Sequence, residues 1–157
     1  ILNKVLLILF LILNLNYIYV FLMLTPYHYT YFNLFAGDFS KVNKKFENDY
    51  WGISLKELVN KIKINSTINS ESYLKLGICG VSKGSVKYYL KRKEIINFRI
   101  VREEENPDFI ILANRVLRDY NKENSREMIT CFDKYDGINV EEVKRNGLVL
   151  SAIKKIN

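Results

Sequence analysis

The stretch from Gly77 to Gly84, Gly-Ile-Cys-Gly-Val-Ser-Lys-Gly, comes nearest in this sequence to a phosphate-cradling loop. Glycines let backbone amides approach an anion at a helix N-terminus, and that is the chemistry such a loop performs. The spacing matches neither G-x-G-x-x-G nor the P-loop with its Lys-Ser/Thr ending, so it reads as an ordinary strand-to-helix turn. Glu103, Glu104 and Glu105 are the obvious paired carboxylates, but three in a row ahead of a turn read as a solvated face. His28 is the sole histidine. A histidine-based metal site or a Ser-His-Asp triad would have to use that residue, and no local motif supports either. No nucleophile, base and oxyanion site assemble, so no catalytic residue and no metal site is assigned.

Cys79 and Cys131 each lie in an apolar stretch that reads as a strand. Two cysteines permit one disulfide without requiring it, and burial as free thiols is the expected state. Asn65-Ser66-Thr67 matches a glycosylation acceptor, a pattern that chance readily produces in so Asn-rich a sequence.

The elements that would carry these residues follow a long apolar run. From Val5 to Leu24 only Asn14 and Asn16 are strongly polar, and no charge interrupts. At about 1.5 Å per residue such a helix spans about 30 Å, the thickness of a bilayer's hydrocarbon core. The run exceeds a signal peptide's apolar region, and Met23-Leu24-Thr25-Pro26 offers no small-x-small cleavage site, so a retained transmembrane helix is expected. Tyrosines at 17, 19, 27, 29 and 31 suit an interfacial aromatic belt. The first residue is Ile rather than Met, and the reading expects a segment of a longer chain.

Beyond the membrane, helix and strand signals alternate. Ser54-Leu55-Lys56-Glu57 has the form of a capping box, with Leu55, Leu58, Val59 and Ile62 forming one apolar face. Tyr73 to Cys79 reads as a strand ending in Gly80, and Ser85 as the cap of a second helix through Val86, Tyr89 and Leu90. Phe98 and Ile100 alternate as an edge strand, and Phe109 to Leu112 is an unbroken apolar strand of the doubly buried kind. The segment from Arg115 to Arg126 reads as an irregular, solvated connection. Asn146-Gly147 favours a type I′ turn between Val140–Arg145 and Leu148–Lys154, a closing β-hairpin. The expected fold is α/β: a transmembrane helix (1–25), an aromatic-rich connector (26–53) and a small Rossmann-like layered domain (54–157) finished by that hairpin.

There are 24 Lys and Arg against 17 Asp and Glu, a net charge of +7. That excess suits nucleic acid, anionic lipid or a phosphorylated substrate. The tether favours the last two, and without a dense basic run or zinc-finger spacing no nucleic-acid partner is expected. Positive charge alone does not fix the orientation, because Lys4 precedes the helix and Lys41, Lys44 and Lys45 follow it.

Pro26-Tyr27-His28-Tyr29-Thr30-Tyr31-Phe32-Asn33, then Phe46-Glu47-Asn48-Asp49-Tyr50-Trp51-Gly52 leading into the Ser54 helix, resembles the C-terminal part of bacterial integral-membrane glycosyltransferases. These are related to family 39, the dolichyl-phosphate-mannose-protein mannosyltransferase group. Val143-Lys144-Arg145-Asn146-Gly147-Leu148-Val149-Leu150 resembles that group's closing hairpin, so the likeness covers nearly the whole chain. Thr25 stands where relatives commonly carry a histidine, which puts any role resting on that histidine in doubt.

The resemblance implies a parent enzyme that takes a sugar from a polyprenyl-phosphate donor to a lipid, glycan or protein acceptor. Its catalytic aspartate would sit in the first extracytoplasmic loop of an N-terminal transmembrane bundle, outside these residues. This piece would then be a non-catalytic cap in the inner or plasma membrane, facing the periplasm or exterior, with no cofactor of its own. Its partners would be membrane lipids and that bundle. Tyr27, His28, Tyr31, Asn33, Asp49, Tyr50 and Trp51 are the candidate substrate contacts, since aromatic rings pack on sugar or lipid faces. The competing expectation for these residues is structural; Trp51 is expected to be buried to dock the domain, while Tyr27 and His28 are expected to reach solvent or ligand. The alternative function is a bitopic membrane-anchored binding or assembly protein.

Overall fold

The computed structural model describes residues 2–28, 48–49, 51–62, 73–117, 129–145 and 147–156. Helix α1, Leu2–Leu24, is long and apolar enough to cross a membrane, and all but its end is exposed. Its last turn is closed by local polar groups. Phe21 O accepts from Thr25 Oγ1 at 2.9 Å, and His28 Nε2 lies 3.2 Å from the same oxygen. The Thr25-Pro26 peptide is cis, and the Tyr27 amide returns to Leu24 O at 2.5 Å. Carbonyls that a helix end leaves without partners are thereby satisfied.

After the connector come α2 (Leu55–Lys61), β1 (Leu74–Cys79), α3 (Lys83–Arg92), β2 (Phe98–Ile100), a 3₁₀ turn (Glu103–Glu105) and β3 (Phe109–Ala113). Then follow β4 (Val116–Leu117), β5 (Ile129–Thr130), α4 (Cys131–Lys134), β6 (Ile138–Arg145) and β7 (Leu148–Lys155). The main sheet has five strands in the order β2-β1-β3-β7-β6, and β4 pairs with β5 in a separate two-stranded sheet. β1 runs parallel to both β2 and β3, while β7 is antiparallel to β3 and to β6. The architecture is therefore mixed α/β, with β2 at the expected edge and the apolar β3 in the centre.

Alternation along the strands divides the apolar residues between two faces. On one, Leu76, Ile111, Leu150 and Ile153 meet Leu55, Leu58, Val59 and Ile62 of α2 and Val86 and Leu90 of α3. On the other, Ile110 and Leu112 meet the pair Cys79 and Cys131 beside Phe132. Each fully buried aliphatic side chain contributes about 1.5–3 kcal/mol by leaving water. A register shift in the hairpin between Val143 and Lys144 brings Leu148 and Leu150 onto the same core as Ile153. Lys93, just past α3, reaches across to the end of α2 and donates to Val59 O at 2.9 Å and Asn60 O at 2.7 Å.

Several local expectations need correction. Ser54 does not cap α2, because its hydroxyl is taken by the Asp49 carboxylate, and Glu57 is drawn away toward Tyr27 and Arg145. The cap of α3 is Ser82, whose Oγ accepts the Ser85 amide at 3.0 Å, so this helix starts one turn earlier than Ser85 suggests. The connection from β2 to β3 carries a 3₁₀ turn, Glu103–Glu105. Cys131 opens a short helix capped by Thr130, not a strand, and it is joined to Cys79 in a disulfide with Cα atoms 5.7 Å apart. The expected free thiols are thus replaced by a cross-link pinning α4 to the end of β1. Val116 and Leu117 are paired strand residues within the stretch read as irregular. Residues 118–126, the glycosylation triplet and Asn146 lie outside the described residues.

Candidate functional site

Among the described candidates, Tyr27, Asp49 and Trp51 stand at one end of the sheet, where the parallel strands finish. β3 ends at Ala113, and the next residue, Asn114, gives its amide to Leu150 O at 2.7 Å and its side-chain amide to Val149 O at 2.8 Å. The start of β7 and the hairpin tip therefore stand at the carboxyl end of β1 and β3. The connector is fastened to the same place. Asp49 donates its amide to Asn114 O at 3.0 Å, and Asn48 Nδ2 reaches Asn114 Oδ1 at 3.4 Å.

Asp49 is fully buried and organises the turn into α2. Its carboxylate accepts from the Ile53 amide at 2.9 Å, the Ser54 amide at 3.3 Å and the Ser54 hydroxyl. A buried carboxylate is stable only when hydrogen-bonded in this way. Both its oxygens are therefore engaged by the turn into α2.

Tyr27 is also interior, with 2% of its surface exposed, and it packs with Leu55, Leu58, Val143 and Leu148. Its phenol donates to Glu57 Oε2 at 2.8 Å. Arg145, the last residue of β6, lays its guanidinium 4.7 Å from the Tyr27 ring centroid and binds both Glu57 oxygens, at 2.7 and 3.4 Å. Lys61 adds a contact to Glu57 at 3.3 Å. Burial tends to raise the Glu57 carboxyl, but the hydrogen bonds from Tyr27, Arg145 and Lys61 outweigh it and hold the group below the usual carboxylate range. Burial first, then the bond to Glu57, pushes the Tyr27 phenol far above its ordinary value. The expectation that Tyr27 reaches solvent is corrected: it is a plug joining the end of α1 to the domain.

His28 folds back onto the helix, its ring stacked on Phe21 with centroids 4.0 Å apart and its Nε2 3.0 Å from Thr25 Oγ1. It is half-buried. Trp51 is 82% exposed, which overturns its expected burial as a docking residue; its neighbour Gly52 instead packs toward Val81. Tyr31, Asn33 and Tyr50 lie outside the described residues. Of the seven candidates, the structure brings Tyr27, Asp49 and Trp51 to the carboxyl end of the sheet, with His28 beside the helix terminus.

The glycine-rich stretch serves packing. A Cβ on Gly77 would lie 2.9 Å from Ile110 Cγ1, and one on Gly80, at φ +74°, would lie 2.9 Å from Ala113 O. Glu103 is held below the usual carboxylate range by Lys134, 2.6 Å away, and by the Tyr135 hydroxyl. It is thus a surface ion pair, not half of a catalytic pair. Among the described residues no group of three or more His, Cys, Asp or Glu is placed to hold a metal. Sequence reasoning gives Glu57 a capping role and Arg145 a place in the hairpin but misses their meeting around Tyr27, which no local spacing signals. No family model, curated protein or solved structure matches this chain.

Proposed function

We propose that this chain is the C-terminal domain, with its preceding membrane helix, of an integral-membrane glycosyltransferase using a polyprenyl-phosphate sugar donor. The domain is a non-catalytic cap on the extracytoplasmic side, acting with a transmembrane bundle of the same protein. The observation that carries the reading is the seating of the domain on α1. Tyr27, three residues past the helix, is enclosed by Glu57, Arg145 and the core, so the carboxyl end of the sheet is held toward the membrane. In open α/β sheets that end is where ligands bind, and in this reading it is the end turned toward a lipid-linked donor.

Two further points support the reading. The Cys79–Cys131 disulfide suits a compartment outside the reducing cytosol. The parallel order β2-β1-β3 fits a Rossmann-like half-sheet extended by an antiparallel hairpin. Asp49, with its oxygens engaged, and Tyr27, with its phenol engaged, act in this reading as positioning residues. The alternative bitopic binding protein draws on the same seating, since it too would present a fixed surface at the membrane.

The test is deletion of residues 54–157 from the encoding reading frame, with sugar transfer measured in membranes. Loss of transfer while upstream spans remain inserted is expected. Undiminished transfer, or a reading frame with no upstream span, contradicts the proposal.

A further inference from the structure

Two exposed apolar side chains stand at the membrane end of the domain. Trp51, the only tryptophan in the chain, is 82% exposed, and Ile53 is 45% exposed. Their place is fixed from both sides. Asp49 ties the loop to Asn114 at the end of β3 and takes the Ile53 amide on its carboxylate. Glu57, one helical turn beyond Ile53, holds Tyr27 where the chain leaves α1. The loop is therefore pinned beside the point at which the membrane helix ends.

An indole in water leaves a large apolar surface hydrated, whereas at the headgroup level its ring enters the acyl boundary and its N–H still finds oxygen partners. Exposed lysines stand at the same end, Lys56 in the first turn of α2 and Lys83 in the first turn of α3. Their charge complements anionic lipid phosphates. We propose that Trp51, with Ile53 beside it, inserts into the headgroup–acyl boundary of the leaflet from which α1 emerges, giving the domain a second hold on the membrane. This rests on α1 lying in a bilayer and not on the transferase reading.

The opposite end supplies an internal control. Ile96, 73% exposed, precedes β2 at the amino end of the parallel strands, where Phe98 pairs with Leu74. It should stay in water.

The experiment uses the full chain reconstituted into vesicles of phosphatidylcholine and phosphatidylglycerol. Because Trp51 is the sole tryptophan, its emission reports this position alone. Expected are a blue-shifted emission, protection from iodide, and stronger quenching by lipids brominated near the headgroup end of the acyl chain than near the methyl end. A chain carrying Trp51→Phe and Ile96→Trp should instead emit as in water and be quenched by iodide. If wild-type Trp51 behaves like that control, or is blue-shifted yet insensitive to brominated lipid, the inference is overturned. Equal lipid quenching at both positions also overturns it, since the whole domain would then be adsorbed. Flotation of the same vesicles separates the two claims. A chain that floats with unquenched Trp51 refutes the interfacial loop alone, whereas one that fails to float refutes the membrane role of α1 as well.

Discussion

Tyr27 and Glu57 meet at 2.8 Å across the boundary between the apolar helix and the α/β domain. They are thirty positions apart in the sequence, and Arg145, a further 88 positions beyond Glu57, closes the cluster. The junction therefore forms only when connector, α2 and hairpin are all in place.

Tyr27→Phe keeps the ring in the core and removes only its hydrogen bond to a charged carboxylate. A loss of about 1.5–3 kcal/mol is expected, at the lower end because Arg145 and Lys61 still satisfy Glu57. Tyr27→Ala also empties a buried site, and about 3–5 kcal/mol is expected by analogy with other large aromatic truncations. Thermal melts in detergent would rank the two, and equal melts for both variants and wild type would remove Tyr27 from the junction.

The sign of the acid response follows from Glu57. Its folded carboxyl lies below the ordinary value, which is about 4.3 in an unfolded chain. The stability it contributes is fully present above that value and is lost as pH falls through the lower folded one. Glu103 and Glu142 are shifted in the same direction, so the wild-type acid limb is shared. The difference between wild type and Glu57→Gln isolates the junction: the variant should be less stable at neutral pH, and the gap should narrow on acidification below about pH 4. A gap independent of pH would show that the Glu57 charge contributes nothing.

The cross-link between Cys79 and Cys131 closes a loop with a sequence separation of 52. Chain entropy for a loop of this length gives about 4 kcal/mol, and measured bridges commonly give about 2–4. Reduction, or Cys79→Ser with Cys131→Ser, should lower the melting temperature accordingly. A melt indifferent to reductant would mean that the bridge does not form in the native protein.

Asp49 and Trp51, two residues apart, should respond in opposite ways. Asp49→Ala strands two backbone amides and a buried hydroxyl, and at about 1–3 kcal/mol for each unsatisfied buried group the domain should be severely destabilised. Trp51→Ala removes a side chain that is 82% exposed and should leave the detergent melt within about 0.5 kcal/mol of wild type. Circular dichroism on both variants decides it, and an early melt for Trp51→Ala would return that residue to a docking role.

What could be seen in the sequence was periodic. β1, β3 and the hairpin announce themselves because alternation or an unbroken apolar run, bounded by Gly or Asn-Gly, has few other solutions. The long apolar helix is legible from the length of its run and the absence of charge from Val5 to Leu24. The misreadings share a cause: short polar side chains were assigned to their nearest backbone, while the fold brought in distant competitors. Ser54 lost its capping role to Asp49, and Glu57 was claimed by Tyr27 and Arg145. Ser82 and Ser85 both fit a helix start, and their mutual contact at 2.7 Å shows why one could be mistaken for the other. Tyr27 begins a run of tyrosines at every second position, 27, 29 and 31, so spacing alone does not mark its burial. The disulfide pairs residues from β1 and α4, a proximity created by the sheet.

The side of the membrane on which the domain folds tests the account most directly. A reporter fused after Asn157, alkaline phosphatase in one strain and green fluorescent protein in another, reads it in living cells. The account predicts active phosphatase and dark fluorescent protein, because it proposes an extracytoplasmic domain, for which the Cys79–Cys131 bridge is suited. Bright fluorescent protein with inactive phosphatase would contradict both the extracytoplasmic cap and the glycosyltransferase reading built on it.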